Sequence, residues 1–254
     1  MKHHERPLYG KIFSGPTPAG EMTYPFPDLP AAINRHLQVK GLEHRIRPES
    51  AFVEWAEASI KFSPKGKWHR VGMEQFNQID KPGRSVQMRI PFFGPFHLLG
   101  RDHYGSGQGS LQLNLNNLFC LDRCSGRDTA QSELAVTLAE ALIIPAYLLM
   151  PYIEWQERSA HYLHATIRDA GTRAAGYFTI GEDGDLMGFS TNDRFLRHNG
   201  ELLRTPWRVE IIKDLKTNQS TIRAIWITRR GDWEYFRGRV AAVHYKYPCT
   251  DNPD

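Results

Sequence analysis

The stretch GRDHYGSGQGSLQLNLNN, residues 100–117, sets Gly100 and Gly105 at the spacing of a phosphate-binding loop. Such a loop also needs a lysine and a hydroxyl after its last glycine, and it must open a helix whose free N–H groups hold the anion. Here Ser106 and Gly107 stand in those two places, and the residues that follow alternate as a strand does. The dinucleotide pattern GxGxxG fails as well, because the glycines fall at 105, 107 and 109. These glycines are expected to turn a hairpin, where positive φ costs glycine nothing sterically.

Other residues capable of chemistry are scattered. His161 and His164 are three apart on an expected strand, so their side chains point to opposite faces and cannot share an ion. Cys120 and Cys124 sit where a strand is expected to meet a turn. No second cysteine pair or nearby histidine completes four ligands, so no metal centre is expected. Neither a GxSxG nucleophile elbow nor an HExxH helix is present. Glu154 with Glu157 and Glu182 with Asp183 have the look of solvated carboxylates. Arg230-Gly231-Asp232 is expected to be a turn. Arg229, Arg230, Arg237 and Arg239 interleave with Trp226, Trp233 and Tyr235, a mixture that in single-strand binders stacks on bases. Charge is not clustered elsewhere, so core and cross-strand packing is the expected role of these aromatics and no nucleic-acid partner is expected. Asp102, Glu133, Glu140 and Arg101 remain as titratable candidates for a cavity, with no spacing found that ties them together.

The elements that would position these residues follow from periodicity. Residues 1–27 are rich in proline and glycine and read as an irregular arm. Asp28 has the look of a helix cap, and LPAAINRHLQVKG carries Leu29, Ile33 and Leu37 on one stripe before Gly41 stops it. From Ser50 the period becomes two. AFVEWAEASIKF sets Phe52, Ala56, Ala58, Ile60 and Phe62 on one face, and SVQMRIPF sets Val86, Met88 and Ile90 together. In GSLQLNLNNLF, Leu111, Leu113 and Leu115 oppose Ser110, Gln112, Asn114 and Asn116, the pattern of an antiparallel sheet with one wet face. A helix is expected over residues 127–144. Asp128 or Thr129 would cap it, Leu134, Leu138 and Leu142 would form one stripe, and Pro145 would end it. Strands resume after Pro151, with a hairpin turn at Gly181-Glu182-Asp183-Gly184 and three longer strands at the end.

The expected fold is therefore α+β and mostly β: a strongly curved antiparallel sheet wrapped around a central helical block at 127–150, plus a short N-terminal helix. Residues 28–247 would form one domain, between the arm and a tail at 248–254. The apolar run at 134–153 holds Glu140, Pro145 and Pro151, which suits a buried plug better than a membrane span. The 32 basic and 28 acidic residues leave a net charge of +4, too small to imply a polyanionic partner. Three cysteines make no disulfide framework, and no apolar segment follows the basic N-terminus, so a cytoplasmic location is expected.

Several stretches carry a resemblance: MEQFNQIDKPG (73–83), GRDHYGSGQGSL (100–111), QSELAVTLAEALIIPAYLL (131–149), IEW (153–155), HATI (164–167), TPW (205–207) and IW (225–226). In order and spacing the chain resembles an uncharacterised bacterial family, domain of unknown function six-five-four-four, from about residue 28 to 247. The resemblance implies no enzyme activity, cofactor or catalytic residue. It implies a half-barrel like that of lipoprotein carriers, an analogy of fold rather than of function.

Three functions compete on this reading. The first is a binding protein for an apolar or amphipathic small molecule, with Arg101, Tyr104, Trp155, Trp207 and Trp226 as candidate lining. The second is an enzyme of unrecognised type, using Arg101 and Asp102 in the cavity. The third is an interaction module that offers a strand edge or the last, basic hairpin.

Overall fold

The structure is a computed structural model, and it describes residues 29–39, 47–198, 200–214, 217 and 219–248. The arm at 1–27, the cap at Asp28, the stop at Gly41 and the tail beyond residue 248 lie outside the described residues.

The described residues are mostly β, with a 14-stranded antiparallel sheet and two α-helices. Helix α1 (Ala31–Val39) comes first, with Ile33 and Leu37 fully buried as its stripe requires. The first half of the sheet runs β1 (Ser50–Ile60), the short β2 (His69–Arg70), β3 (Gly72–Gln78), β4 (Gly83–Phe93), β5 (Phe96–Gly105), β6 (Gln108–Leu115) and β7 (Phe119–Ser125). Helix α2 (Arg127–Ala139) follows, then two 3-10 turns at Glu140–Leu142 and Pro145–Leu149. The second half runs β8 (Ile153–Ser159), β9 (Tyr162–Asp169), β10 (Thr172–Ile180), β11 (Leu186–Thr191), β14 (Trp207–Asp214), β15 (Gln219–Trp226) and β16 (Trp233–Lys246). Between them β12 (Phe195–His198) and β13 (Glu201–Arg204) form a separate hairpin.

The two halves join where β1 pairs with β16, giving the order β7-β6-β5-β4-β3-β1-β16-β15-β14-β11-β10-β9-β8. Apart from that junction, neighbouring strands are nearly always consecutive, which hairpins make inexpensive. The expected strong curl is absent: the sheet is not strongly curled, and β7 and β8 remain its edges. One reason is that the helix it was expected to enclose is shorter than expected. Ile144 leaves the α conformation, at φ −123° and ψ 80°, because a following proline disfavours it there, and the chain has already tightened to 3-10 geometry from Glu140. What brings the halves together instead is α2, which packs on β5 and β6 from one side and on β9 and β10 from the other. Asp169 adds a clamp, accepting from the Tyr104 hydroxyl at 3.0 Å and from the Gly107 amide at 2.9 Å.

The hairpin reading of residues 100–117 holds. Ser106 and Gly107 both take positive φ between β5 and β6. Gly109 serves another purpose. A Cβ there would lie 2.6 Å from Ala130 Cα, so a missing side chain is what lets α2 rest on β6.

Three local expectations need correction. The cap of α2 is Gly126 at φ 106°, with no side-chain cap bond, rather than Asp128 or Thr129. Glycine reaches that φ freely, so the chain turns into the helix two residues before Asp128. On β1 the buried face begins with Ala51 and Val53, not Phe52, because bulges between Glu54 and Glu57 change the register before Ala58 returns inward. Cys120 and Cys124 lie within the edge strand β7, and His161 lies in the turn before β9.

Candidate functional site

Alternation along β3, β4 and β5 aims Gln75 and Asn77, then Arg84, then Asp102 at the helical side of the sheet. Seven residues separate Glu133 on α2 from Glu140 in the first 3-10 turn, which returns both carboxylates to one face of the helical segment. That face meets Arg84. Its Nη1 donates to Glu133 and its Nε donates to Glu140 at 3.0 Å. Asp102 Oδ2 stands 4.0 Å from the same guanidinium. Glu140 also accepts from Gln75 at 2.9 Å and from Asn77. Asn77 donates to the Tyr147 hydroxyl at 3.0 Å, and that hydroxyl donates to the carbonyl of Gln78.

A second arginine completes the cluster. Arg194, ahead of β12, donates to Glu133 and to the carbonyl of Ser132, each at 3.2 Å. Its guanidinium lies over the rings of Trp207 and Trp226, at 4.9 and 5.3 Å. Trp207 donates to the Tyr235 hydroxyl at 3.2 Å, which fixes the ring beneath the arginine. The Nε of Arg194 is buried without a hydrogen-bond partner among the described residues.

Arg84, Glu133, Glu140 and Arg194 are all buried, so their charges stand in low dielectric and depend on one another. Burial opposes the charge of Arg84, but Glu140, Glu133 and Asp102 more than offset this and push its pKa up. Burial drives Glu140 up, against the pull of Arg84 and Asn77. Asp102 retains 24% side-chain exposure and lines a cavity. Burial and then the Glu133 charge push it up to about 7, with Arg84 and Arg194 opposing. Two cations thus face three carboxyls, and Asp102 is set to change charge near neutral pH.

Above the cluster is a cavity of about 280 Å³. Arg84, Asp102, Glu140 and Arg194 occupy one part of its lining, and apolar side chains such as Val136, Ile143, Trp207, Val209 and Phe236 form much of the rest. The arrangement can bind a small molecule with one polar end, and Asp102 can accept or donate a proton there.

Of the residues expected at a site, the structure brings Asp102, Glu133, Glu140 and Trp207 together, with Trp226 under Arg194. Arg101 is exposed and lines a different groove, with Arg89 and His97. Tyr104 is fully buried against Asp169. Trp155 packs on Phe178, with ring centroids 5.2 Å apart. Sequence reasoning missed Arg84, Arg194, Gln75 and Asn77. A signal existed for Arg84, which shares the phase of Val86, Met88 and Ile90 on the buried face of β4. Nothing local marked Arg194. In the last hairpin, Trp226 stacks on Tyr235, while Arg237 lies over Trp68 at 3.7 Å and pairs with Glu234.

No curated protein and no solved structure matches the chain. A family described as "Family of unknown function (DUF6544)" matches residues 23–238, a span that holds every residue of the cluster and of the cavity wall. The chain belongs to this family.

Proposed function

We propose that the protein binds a small amphipathic molecule in the cavity between α2 and the sheet. The observation that carries this reading is the division of the cavity lining, with its charged groups gathered at Arg84, Asp102, Glu140 and Arg194 and apolar side chains over much of the remainder. Small-molecule sites commonly combine an apolar wall with a few placed polar groups, and about 280 Å³ stands near the small end of their range. The unpaired Nε of Arg194 favours an acceptor oxygen on the polar end of the ligand. The carrier-like analogy draws its support from this cavity rather than from sheet curvature. A reducing location belongs to the same reading, supported by free Cys120 and Cys124.

Native mass spectrometry of the purified chain, beside solvent extraction and mass analysis of the extract, tests the proposal. A stoichiometric amphiphile supports it. A ligand-free protein that takes up no fatty acid, sterol or small aromatic acid in the same assay overturns it.

A second reading rests on Asp102, which stands beside Arg84 and Glu133 at the cavity lining. That constellation suits a general base or acid acting on a bound molecule. Turnover of an extracted ligand, lost in Asp102→Asn with binding retained, would mark an enzyme.

A further inference from the structure

The turns β4–β5 and β6–β7 lie side by side at one end of the sheet, tied by bonds between His97 and Asn116. They carry an unusual set of exposed side chains: Phe92, Phe93, Phe96, Leu118, Phe119 and Leu121. Phe93 and Leu118 are 77% and 76% exposed. Large apolar side chains gathered this way signify a contact surface, whereas single exposed ones need no explanation. Neither PFFGPFH (91–97) nor LNNLFCL (115–121) contains an acidic residue, lysine or arginine.

What covers such a surface is indicated by the charge behind it. Arg89, Arg101 and Arg123 are exposed on the strands leading back from these turns, and register sets Arg101 and Arg123 in one cross-strand row. Among the described residues, Asp122 already pairs with Arg197 at 2.5 Å, and Glu74 is the one carboxylate lining the groove of about 820 Å³ that His97 and Arg101 also line. Apolar tips projecting beyond exposed arginines match the layering of a bilayer surface, with acyl chains below and anionic headgroups above. No helix among the described residues is long and apolar enough to cross a membrane, so this contact would be peripheral.

We infer that the protein docks on anionic bilayers through these two turns, the phenylalanine and leucine tips entering the acyl boundary while Arg101 and Arg123 meet headgroups. The inference does not depend on the cavity or on any ligand in it.

Co-sedimentation of the full chain with vesicles tests it, using phosphatidylcholine alone and phosphatidylcholine with about 30 mol% phosphatidylserine, a charge of the order found on anionic leaflets. The expected result is binding that needs phosphatidylserine. It should fall at least about tenfold in Phe93→Ser/Leu118→Ser, since each buried side chain of this size contributes about an order of magnitude. Arg101→Gln/Arg123→Gln should weaken binding to the anionic vesicles. Both pairs are exposed, and an unchanged melting temperature shows that the fold is intact. Wild-type protein left in the supernatant with both vesicles overturns the inference. So does binding that the tip variant retains, which would be charge attraction alone. A concentration-dependent dimer that the tip variant makes monomeric, without vesicle binding, overturns it in favour of a second copy as the partner.

Discussion

Arg84 and Asp102 face the same cavity but are held by different physics. Arg84 is buried and bonded to two carboxylates, so replacing it with methionine leaves Glu133 and Glu140 without their shared cation. Breaking a buried pair from one side costs about 3–5 kcal/mol. Arg84→Met should therefore lose about that much in urea unfolding, and Glu140→Gln, which leaves the cluster better balanced, should lose less. Asp102 is bonded less directly, and its chemistry shows in pH. Its pKa rises from 3.8 to about 7 on folding. Between those values the unfolded chain ionises while the folded carboxyl keeps its proton, so this group's contribution to stability falls as pH rises from about 4 to 7 and is flat above. Asp102→Asn has no such loss. Its melting temperature relative to wild type should climb across that window, and parallel melts at pH 5 and pH 8 measure it. A constant difference would mean that Asp102 is ionised throughout.

At the scale of elements, the reading from sequence succeeded where one local rule governed. Strict alternation located β6 and the inward face of β4, and the glycines between β5 and β6 formed the expected hairpin. It failed where a single residue shifted the phase. The bulges at Glu54–Glu57 exchanged the faces of β1, and the short β12–β13 hairpin had too little period to read. The site was partly legible for the same reason. Glu133 and Glu140 were singled out, but their seven-residue spacing, two helical turns, was the clue that ties them, and it points at Arg84 only once β4 lies opposite α2. Gly109 gives a test of that docking. Its Cβ would meet Ala130 Cα at 2.6 Å and Thr129 O at 2.8 Å, both backbone atoms that cannot rotate aside. Gly109→Ala should cost about 1–3 kcal/mol as an overpacked contact. Gly72→Ala, whose nearest neighbour would be 3.8 Å away, should cost little. Equal losses in chemical denaturation would remove the close approach as the reason for Gly109.

For the whole molecule, the informative contacts are those that cross between the halves. Tyr104 and Gly107 meet Asp169 across 65 and 62 residues of chain, and Arg194 meets Glu133 across 61, distances over which no periodicity or motif operates. The cavity depends on such closures, since its walls come from both halves: Gln75, Arg84 and Asp102 from β3, β4 and β5, Val209, Ala224 and Phe236 from β14, β15 and β16, and Val136 from α2. A cavity walled in this way is either a ligand site or a packing defect, and the two respond differently to being filled. Val136 lines the cavity from α2 and is itself only partly buried. Val136→Phe would add volume to the apolar part without touching Arg84, Asp102 or Arg194. In an empty defect, filling raises stability and changes nothing else, as cavity-filling substitutions commonly do. In a ligand site it should raise or hold the melting temperature while removing the amphiphile seen by native mass spectrometry. A variant that melts higher and still carries its ligand would place that ligand outside this cavity.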